Sequence, residues 1–466
     1  MIDQDGLPTP MRYYAIAAVL LGITLSVLDG TIVNLALPRI AHDLRVSAAQ
    51  SVWVVNAYQI STLALLLPLA TLGDLVGYRR VYLSGLMLFT LASLGCTLAD
   101  SLPTLAAARA IQGLGSAGIM SVNPALVRLI YPKSLLGRGI AINSMVVAAA
   151  AVAGPSVAAG ILSVASWPWL FAVNLPLGAL VLWLGVRALP SHGAASARGV
   201  RLSWLDVLLN ALMFSLVFLG VDALGAQSSV LAAFPTKAVG MTLLGVGIAV
   251  GAVYLRRQFH QSIPVFPVDL LRLPVFALSM CASVAAFAAQ TLAYIALPFL
   301  LLDGYGYSPV QAGLLITAWP LAIVVVAPLA GLLIGRYPDG LLGGVGLSFL
   351  SAGLALLAAL AGQPSNIDIV WRLALCGIGF GLFQSPNNHT IVTTAPRHRS
   401  GGASGMLATA RLTGQTLGAV MMAIIFSFTH AHDGRGPAIA LMLAAVLAGM
   451  AAVFSALRLR HRVVSD

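Results

Sequence analysis

One acid stands deep inside an apolar run. Asp29 lies in Leu25-Ser26-Val27-Leu28-Asp29-Gly30-Thr31-Ile32-Val33-Asn34, a few residues past the midpoint of the first apolar stretch. A charge at such depth costs about 2.5–3.5 kcal/mol on insertion scales, so residues of this kind face a cavity or a partner. Desolvation favours the neutral carboxyl, which suits the group to take up and release a proton. The plainer reading is a structural acid hydrogen-bonded to Thr31 or Asn34. Arg109 opens Arg109-Ala110-Ile111-Gln112-Gly113-Leu114-Gly115, a third of the way into the fourth apolar run. Odd and even helices cross in opposite directions, so Asp29 and Arg109 fall at similar depth. A guanidinium beside the carboxyl favours its charged form and poises the group between states. The alternative for Arg109 is a packing role against backbone carbonyls.

Two further stretches could shape motion. Gly73-Asp74-Leu75-Val76-Gly77-Tyr78-Arg79-Arg80 joins the second and third runs. Its glycines permit a tight turn, and its Asp and Arg side chains can make charge-assisted bonds that close one face. A solvated basic turn is the competing reading. Gly154-Pro155 inside the fifth run, with Gly160 after it, predicts a kink and a close helix approach. His430, His432 and Asp433 fall in a polar connection and read as solvated rather than metal-binding.

These residues need a membrane scaffold. The chain has 466 residues, 59% hydrophobic and 8% charged, with mean hydropathy +0.95, where soluble domains carry roughly 25% charged residues. Every acid is Asp, and only Lys133 and Lys237 are lysines. The net charge of +11 is scattered between apolar runs and forms no basic face, which argues against nucleic acid. Cys96, Cys281 and Cys376 lie within apolar runs and read as packing residues. The first run, Tyr13–Pro38, is too long for a signal h-region and reads as an uncleaved helix.

Crossing roughly 30 Å of hydrocarbon takes about 20 helical residues, and fourteen runs qualify. They are Tyr13–Pro38, Val52–Gly73, Val81–Ala99, Leu102–Val127, Gly139–Ser163, Pro168–Val186, Trp204–Leu224, Ala238–Leu255, Phe276–Leu302, Gln311–Ile334, Leu341–Ala361, Ile369–Thr394, Gly405–Phe428 and Pro437–Leu457. With the N-terminus in the cytoplasm, 18 basic residues face inside and 4 outside, a strong positive-inside bias. Both termini are then cytoplasmic. The longer connections flank the seventh and eighth runs, giving segments 13–187, 188–272 and 273–458. The outer segments share features: Arg109 precedes Gly113, Gly115 and Gly118, and Arg372 precedes Gly377, Gly379 and Gly381. Repeats of this kind underlie alternating-access transporters.

At this point the residues resemble a known family. Leu28-Asp29-Gly30-Thr31-Ile32-Val33-Asn34-Leu35-Ala36-Leu37-Pro38 is similar to the helix 1 signature of the fourteen-helix drug:proton antiporters of the major facilitator superfamily. Gly73 to Arg80 resembles the superfamily's loop 2–3 motif, and Arg109 to Gly115 its helix 4 proton-coupling motif. Gly154-Pro155 to Gly160 resembles the helix 5 antiporter motif, and Trp169-Leu170-Phe171-Ala172-Val173-Asn174-Leu175-Pro176-Leu177-Gly178 the opening of helix 6. Methyl-viologen and quaternary-ammonium exporters are the most similar members.

The resemblance implies an all-α polytopic membrane protein of the major facilitator fold: two six-helix bundles plus two inserted helices outside the pathway. It implies a bacterial inner-membrane exporter, acting without a cofactor, that exchanges lipophilic cations (quaternary ammonium, viologen, dye or biguanide type) for protons. Asp29 then carries the proton or meets the cation, Arg109 takes part in coupling, and Gly73, Asp74, Gly77, Arg79 and Arg80 form the cytoplasmic gate. A monomer is expected. Asn34, Asn56, Tyr58, Gln112, Tyr294, Trp319, Phe380 and Phe383 are candidate cavity-lining residues, the aromatics by stacking on a cation. The sequence departs from some quaternary-ammonium exporters, because Asn56 stands in helix 2 and the second bundle has no convincing buried acid. Asp222 is the only other partial candidate. Export of an endogenous metabolite or peptide, and a passive facilitator of the same fold, are the alternatives. A membrane enzyme has no catalytic motif to support it.

Overall fold

The computed structural model describes residues 6–132, 135–190, 203–224, 236–259, 270–360, 364–395, 400–429 and 435–461. In apolar solvent a crossing segment must satisfy its own backbone groups, and a helix does so within one segment. Fourteen long helices result: α1 Met11–Asp43, α2 Trp53–Val76, α3 Tyr78–Thr97, α4 Leu102–Ile130, α5 Leu136–Val164, α6 Asn174–Ala188, α7 Trp204–Leu224, α8 Thr236–Phe259, α9 Pro274–Phe299, α10 Pro309–Leu333, α11 Asp339–Ala358, α12 Asn366–Thr394, α13 Ser400–Phe428 and α14 Arg435–Leu457. Short helices at Ala48–Ser51 and Trp169–Ala172 lead into α2 and α6. Among the described residues thirteen helices are long and apolar enough to cross a membrane, and α5 contributes the shorter apolar segment Ala153–Val164. Capping boxes start three of the elements, with Ser47 paired to Gln50, Ser101 to Thr104 and Ser308 to Gln311. Large apolar side chains such as Leu91, Val164, Trp204, Val325 and Leu332 point outward, as a lipid solvent requires.

The helices repeat one plan twice. α1 packs on α5 and α6, α2 on α4, and α3 on α4 and α6; α9 packs on α13 and α14, α10 on α12, and α11 on α12 and α14. The shared pairings equate α1–α6 with α9–α14. Glycines permit the closest approaches in both halves. A Cβ on Gly85 would lie 2.8 Å from the Gly115 carbonyl oxygen, and one on Gly346 would lie 2.5 Å from that of Gly379. The bundles meet through α5 with α10 and through α2 with α13, while α1 faces α9. Ser156 and Thr317 share a 2.7 Å hydroxyl bond across the α5–α10 contact.

One apolar cluster seals the bundles together. It draws Ile32, Leu35, Ala36 and Ile40 from α1, Ala289, Ala293 and Leu297 from α9, and Ile316 and Trp319 from α10. The inserted helices α7 and α8 pair with each other, and the Arg257 Nε donates to Asp206 Oδ1 at 3.0 Å. α7 leans on α2 and α13, where Asn210 Nδ2 donates to the Ala64 carbonyl at 2.7 Å.

One expectation needs correction. α1 does not stop at Pro38 but continues to Asp43, because a proline in a helix is tolerated where packing holds the flanking turns. Arg458 closes the second bundle just past the end of α14. It is 5% exposed and donates to Ser279 Oγ at 3.0 Å and Asn387 Oδ1 at 2.9 Å, tying α14 to α9 and α12.

Candidate functional site

The first bundle closes around Asp29. Its carboxylate is 1% exposed, and so is Arg109. Arg109 Nη1 donates to Asp29 Oδ2 in a short ion pair. Gln112 Nε2 and Asn174 Nδ2 donate to Asp29 Oδ1 at 2.9 and 2.8 Å. Gln112 cannot turn the other way round, because its Oε1 accepts from Arg109 Nη1 at 2.6 Å and a guanidinium offers only donors. Asn174 is oriented by the same rule, since a carboxylate only accepts. Three side-chain donors, Arg109, Gln112 and Asn174, thus converge on the Asp29 carboxyl group.

Each helix of the bundle except α5 contributes. α1 supplies Asp29. α2 supplies the Val54 carbonyl, which accepts from Arg109 Nε at 3.0 Å, and the Tyr58 ring, whose centroid lies 4.2 Å from the guanidinium carbon. α3 supplies Ser93, whose Oγ accepts from Gln112 Nε2 at 2.8 Å. α4 carries Arg109 and Gln112 three residues apart, on one helical face. α6 supplies Asn174, and the short helix before it places the Phe171 ring 5.5 Å from the guanidinium. The Tyr58 hydroxyl donates to the Ser26 carbonyl at 3.1 Å and lies 2.7 Å from Ser116 Oγ. Burial without water raises the cost of any unpaired member, so the network is sensitive to the charge of each.

α5 approaches the site from the outside. A Cβ on Gly154 would meet Thr31 Cβ at 2.8 Å, so only glycine lets α5 lie this close to α1. Thr31, Asn34, Leu35, Pro155, Tyr294, Pro298 and Ile316 border a cavity of about 20 Å³ between the bundles. That is room for about one water. Gly160 is different: it is exposed and a Cβ there meets nothing, so it makes no close helix contact.

The remaining sequence candidates are dispersed. Gly77 links α2 to α3 with φ +101°, a conformation suited to glycine. Gly73 is buried against Val122 and Tyr78. Arg79 Nη2 donates to the Val186 carbonyl of α6, and Arg80 is exposed. The side chains of Asp74 and Asp222 lie outside the described residues, as do His430, His432 and Asp433. Tyr58 stacks on Arg109 instead of lining a cavity. Trp319, Phe380 and Phe383 belong to the apolar core, where Trp319 packs 5.0 Å from Tyr294 and Phe380 5.3 Å from Phe287. Asn56 is fully buried, and among the described residues neither atom of its amide has a partner. Arg372, the repeat counterpart of Arg109, pairs with Asp368 of its own helix at 3.1 Å and reaches the Leu356 carbonyl. Among the described residues the second bundle thus has no copy of the ion-pair network.

Sequence reasoning had singled out neither Ser93 nor Asn174. Asn174 was within reach, because it sits in the Trp169–Gly178 stretch. Ser93 carried no signal in its apolar run.

Comparison with known proteins places this architecture. Residues 19–419 match the Major Facilitator Superfamily model. The chain is 50% identical over 458 residues to the uncharacterized transporter YebQ of Escherichia coli (strain K12), covering 98% of each chain. It is 29% identical over 429 residues to the riboflavin transporter RibZ of Clostridioides difficile (strain 630), covering 91% of this chain and 90% of that one. It is 32% identical over 413 residues to the multidrug resistance protein Stp of Mycobacterium tuberculosis (strain ATCC 25618 / H37Rv), covering 87% of this chain and 74% of that one. With its two repeated bundles and this match over most of its length, the chain is a multi-pass membrane transporter of the major facilitator superfamily.

Proposed function

We propose that the protein is a proton-coupled exporter of lipophilic small molecules, working by alternating access in the bacterial inner membrane with both termini in the cytoplasm. The observation that carries this reading is the Asp29–Arg109 pair. Asp29 is the only buried acid of the two bundles among the described residues, and its carboxylate joins α1 to α4 and α6. A proton arriving at Asp29 removes the charge that holds Arg109 Nη1. The guanidinium keeps the Val54 carbonyl and Gln112 Oε1, so it can rotate without losing every acceptor. Local protonation therefore loosens contacts among three helices of one bundle. Arg79 and its loop belong to the cytoplasmic gate in this reading, and α7 and α8 lie outside the pathway.

The relatives support transport of small molecules without fixing the cargo. The name of Stp speaks for drugs, and that of RibZ for a metabolite. The sequence reading has a lipophilic cation compete with the proton for Asp29. Such a cation must displace a guanidinium that is already well bonded, whereas protonation needs no displacement. Proton coupling is thus the better supported part.

The test is transport in proteoliposomes under an imposed pH gradient, following ethidium, riboflavin and internal pH. The wild type should move at least one probe against its gradient while protons flow the other way, and Asp29→Asn should lose that accumulation. A variant that accumulates as well as the wild type, or a wild type indifferent to the gradient, refutes proton coupling and leaves a passive facilitator.

A further inference from the structure

A second charge in the membrane has no ion-pair partner among the described residues. Arg411 lies near the middle of α13, partly buried. Its neighbours show which way it points. Leu412 and Val420 pack with Ile60, Leu63 and Leu66 of α2. Gly414 and Gly418 abut the α9 backbone at Val284 and Ala288. At 100° per residue, Arg411 and Gln415 occupy one of the two arcs between these contacts, and the neighbours of Arg411 show that this arc is turned toward α9 and α2. The Phe287 ring of α9 lies 5.9 Å from the guanidinium carbon, and the Tyr58 hydroxyl of α2 is within electrostatic reach. This is the interior face, not the lipid face.

Arg109 has Asp29, Arg372 has Asp368, Arg257 has Asp206, and Arg458 has Asn387 and two serines. Among the described residues no carboxylate pairs with Arg411, and its Nε is buried without an acceptor. A guanidinium cannot shed its proton, so an unpaired one at this depth is costly unless something supplies an oxyanion. The carboxylate of Asp29 is answered by Arg109. Among the described residues Arg411 is thus a membrane cation that no carboxylate answers.

We propose that Arg411, with Gln415 one turn further along the same face, recognises the anionic group of a lipophilic carboxylate substrate, the apolar body of which lies against Phe287. The proposal names the cargo of the exporter reading above and rests on that reading for the direction of transport, though not for binding. Arg suits the task because its planar fork bonds a carboxylate through two parallel donors.

The experiment is equilibrium binding to the full chain in lipid nanodiscs, read by fluorescence anisotropy with protein-free discs as the blank. The probes are pyrenebutyrate, its uncharged amide pyrenebutyramide, and the cationic pyrenebutylamine. The wild type should bind the carboxylate at least tenfold more tightly than the amide, the size expected of a charge-assisted bond. Arg411→Gln should bring the two within twofold while leaving the amide affinity unchanged, which also shows that the variant is folded. Arg411→Lys should retain most of the preference. The proposal is overturned if the wild type binds the amide or amine as tightly as the carboxylate, if it binds none of them, or if Arg411→Gln keeps the preference. No proton gradient enters this measurement. A carboxylate preference that depends on Arg411, in a protein that ignores a pH gradient, would sink the proton-coupling reading alone.

Discussion

Replacing Asp29 by Asn is the sharpest probe of the buried pair, and the structure sets its size. The new amide oxygen can still accept from Gln112 and Asn174, as Asp29 Oδ1 does now. The new amide nitrogen then faces Arg109 Nη1, donor against donor, where the ion pair stood. Two of three contacts survive and the third reverses sign. Arg109 cannot deprotonate, so the variant holds an uncompensated buried charge, which costs about 3–5 kcal/mol. Arg109→Gln is milder, because the orphaned carboxyl can take up a proton; its penalty should shrink as pH falls. The double variant removes both charges and should be more stable than the sum of the singles by at least about 2 kcal/mol. The assay is reversible unfolding in mixed micelles titrated with SDS, across the four proteins of the cycle. Additive losses, each under about 1 kcal/mol as for exposed pairs, would refute the claim that the pair is desolvated and mutually dependent.

Other consequences are simpler to check. Gly85→Val places a side chain where Gly115 oxygen and Gly118 Cα already lie within 2.8–2.9 Å. Such overpacking should cost about 1–3 kcal/mol and lower the thermal midpoint. Gly346→Val should do the same in the second bundle, whereas Gly160→Ala, which meets open space, should leave the midpoint unchanged. Arg372→Ala loses one pair at a helix end, so its stability should change by less than about 1 kcal/mol and gradient-driven transport should persist. Loss of coupling in that variant would show that both halves of the repeat take part.

Much of the architecture was legible in the chain, for identifiable reasons. Long apolar runs fix helices, and the alternation of crossing direction brings Asp29 and Arg109 to one depth. Gln112 follows from its spacing, three residues beyond Arg109 on the same face. The repeat was visible in paired Arg–Gly patterns, and the lack of a convincing buried acid in the second bundle fits Arg372, which pairs only with Asp368 of its own helix. Asn174 lay within a stretch already singled out, yet nothing in a linear reading shows that the opening of helix 6 returns to α1. Trp319, Phe380 and Phe383 were misplaced for a related reason. Composition tells that an aromatic sits in a membrane helix, but whether it meets a cavity or another ring depends on helix rotation. The contacts of Arg458 carry no sequence signal, because Ser279 and Asn387, its acceptors, come from helices far away in sequence.

The account turns on Asp29 as the group that gains and loses the proton. Infrared difference spectroscopy of the wild type and Asp29→Asn, each stepped between acidic and neutral pH, reads this without knowing the substrate. The account predicts a protonated-carboxyl stretch that grows on acidification in the wild type and is missing from the variant. A band that persists in Asp29→Asn, or a wild type with none, would contradict it and assign the proton elsewhere.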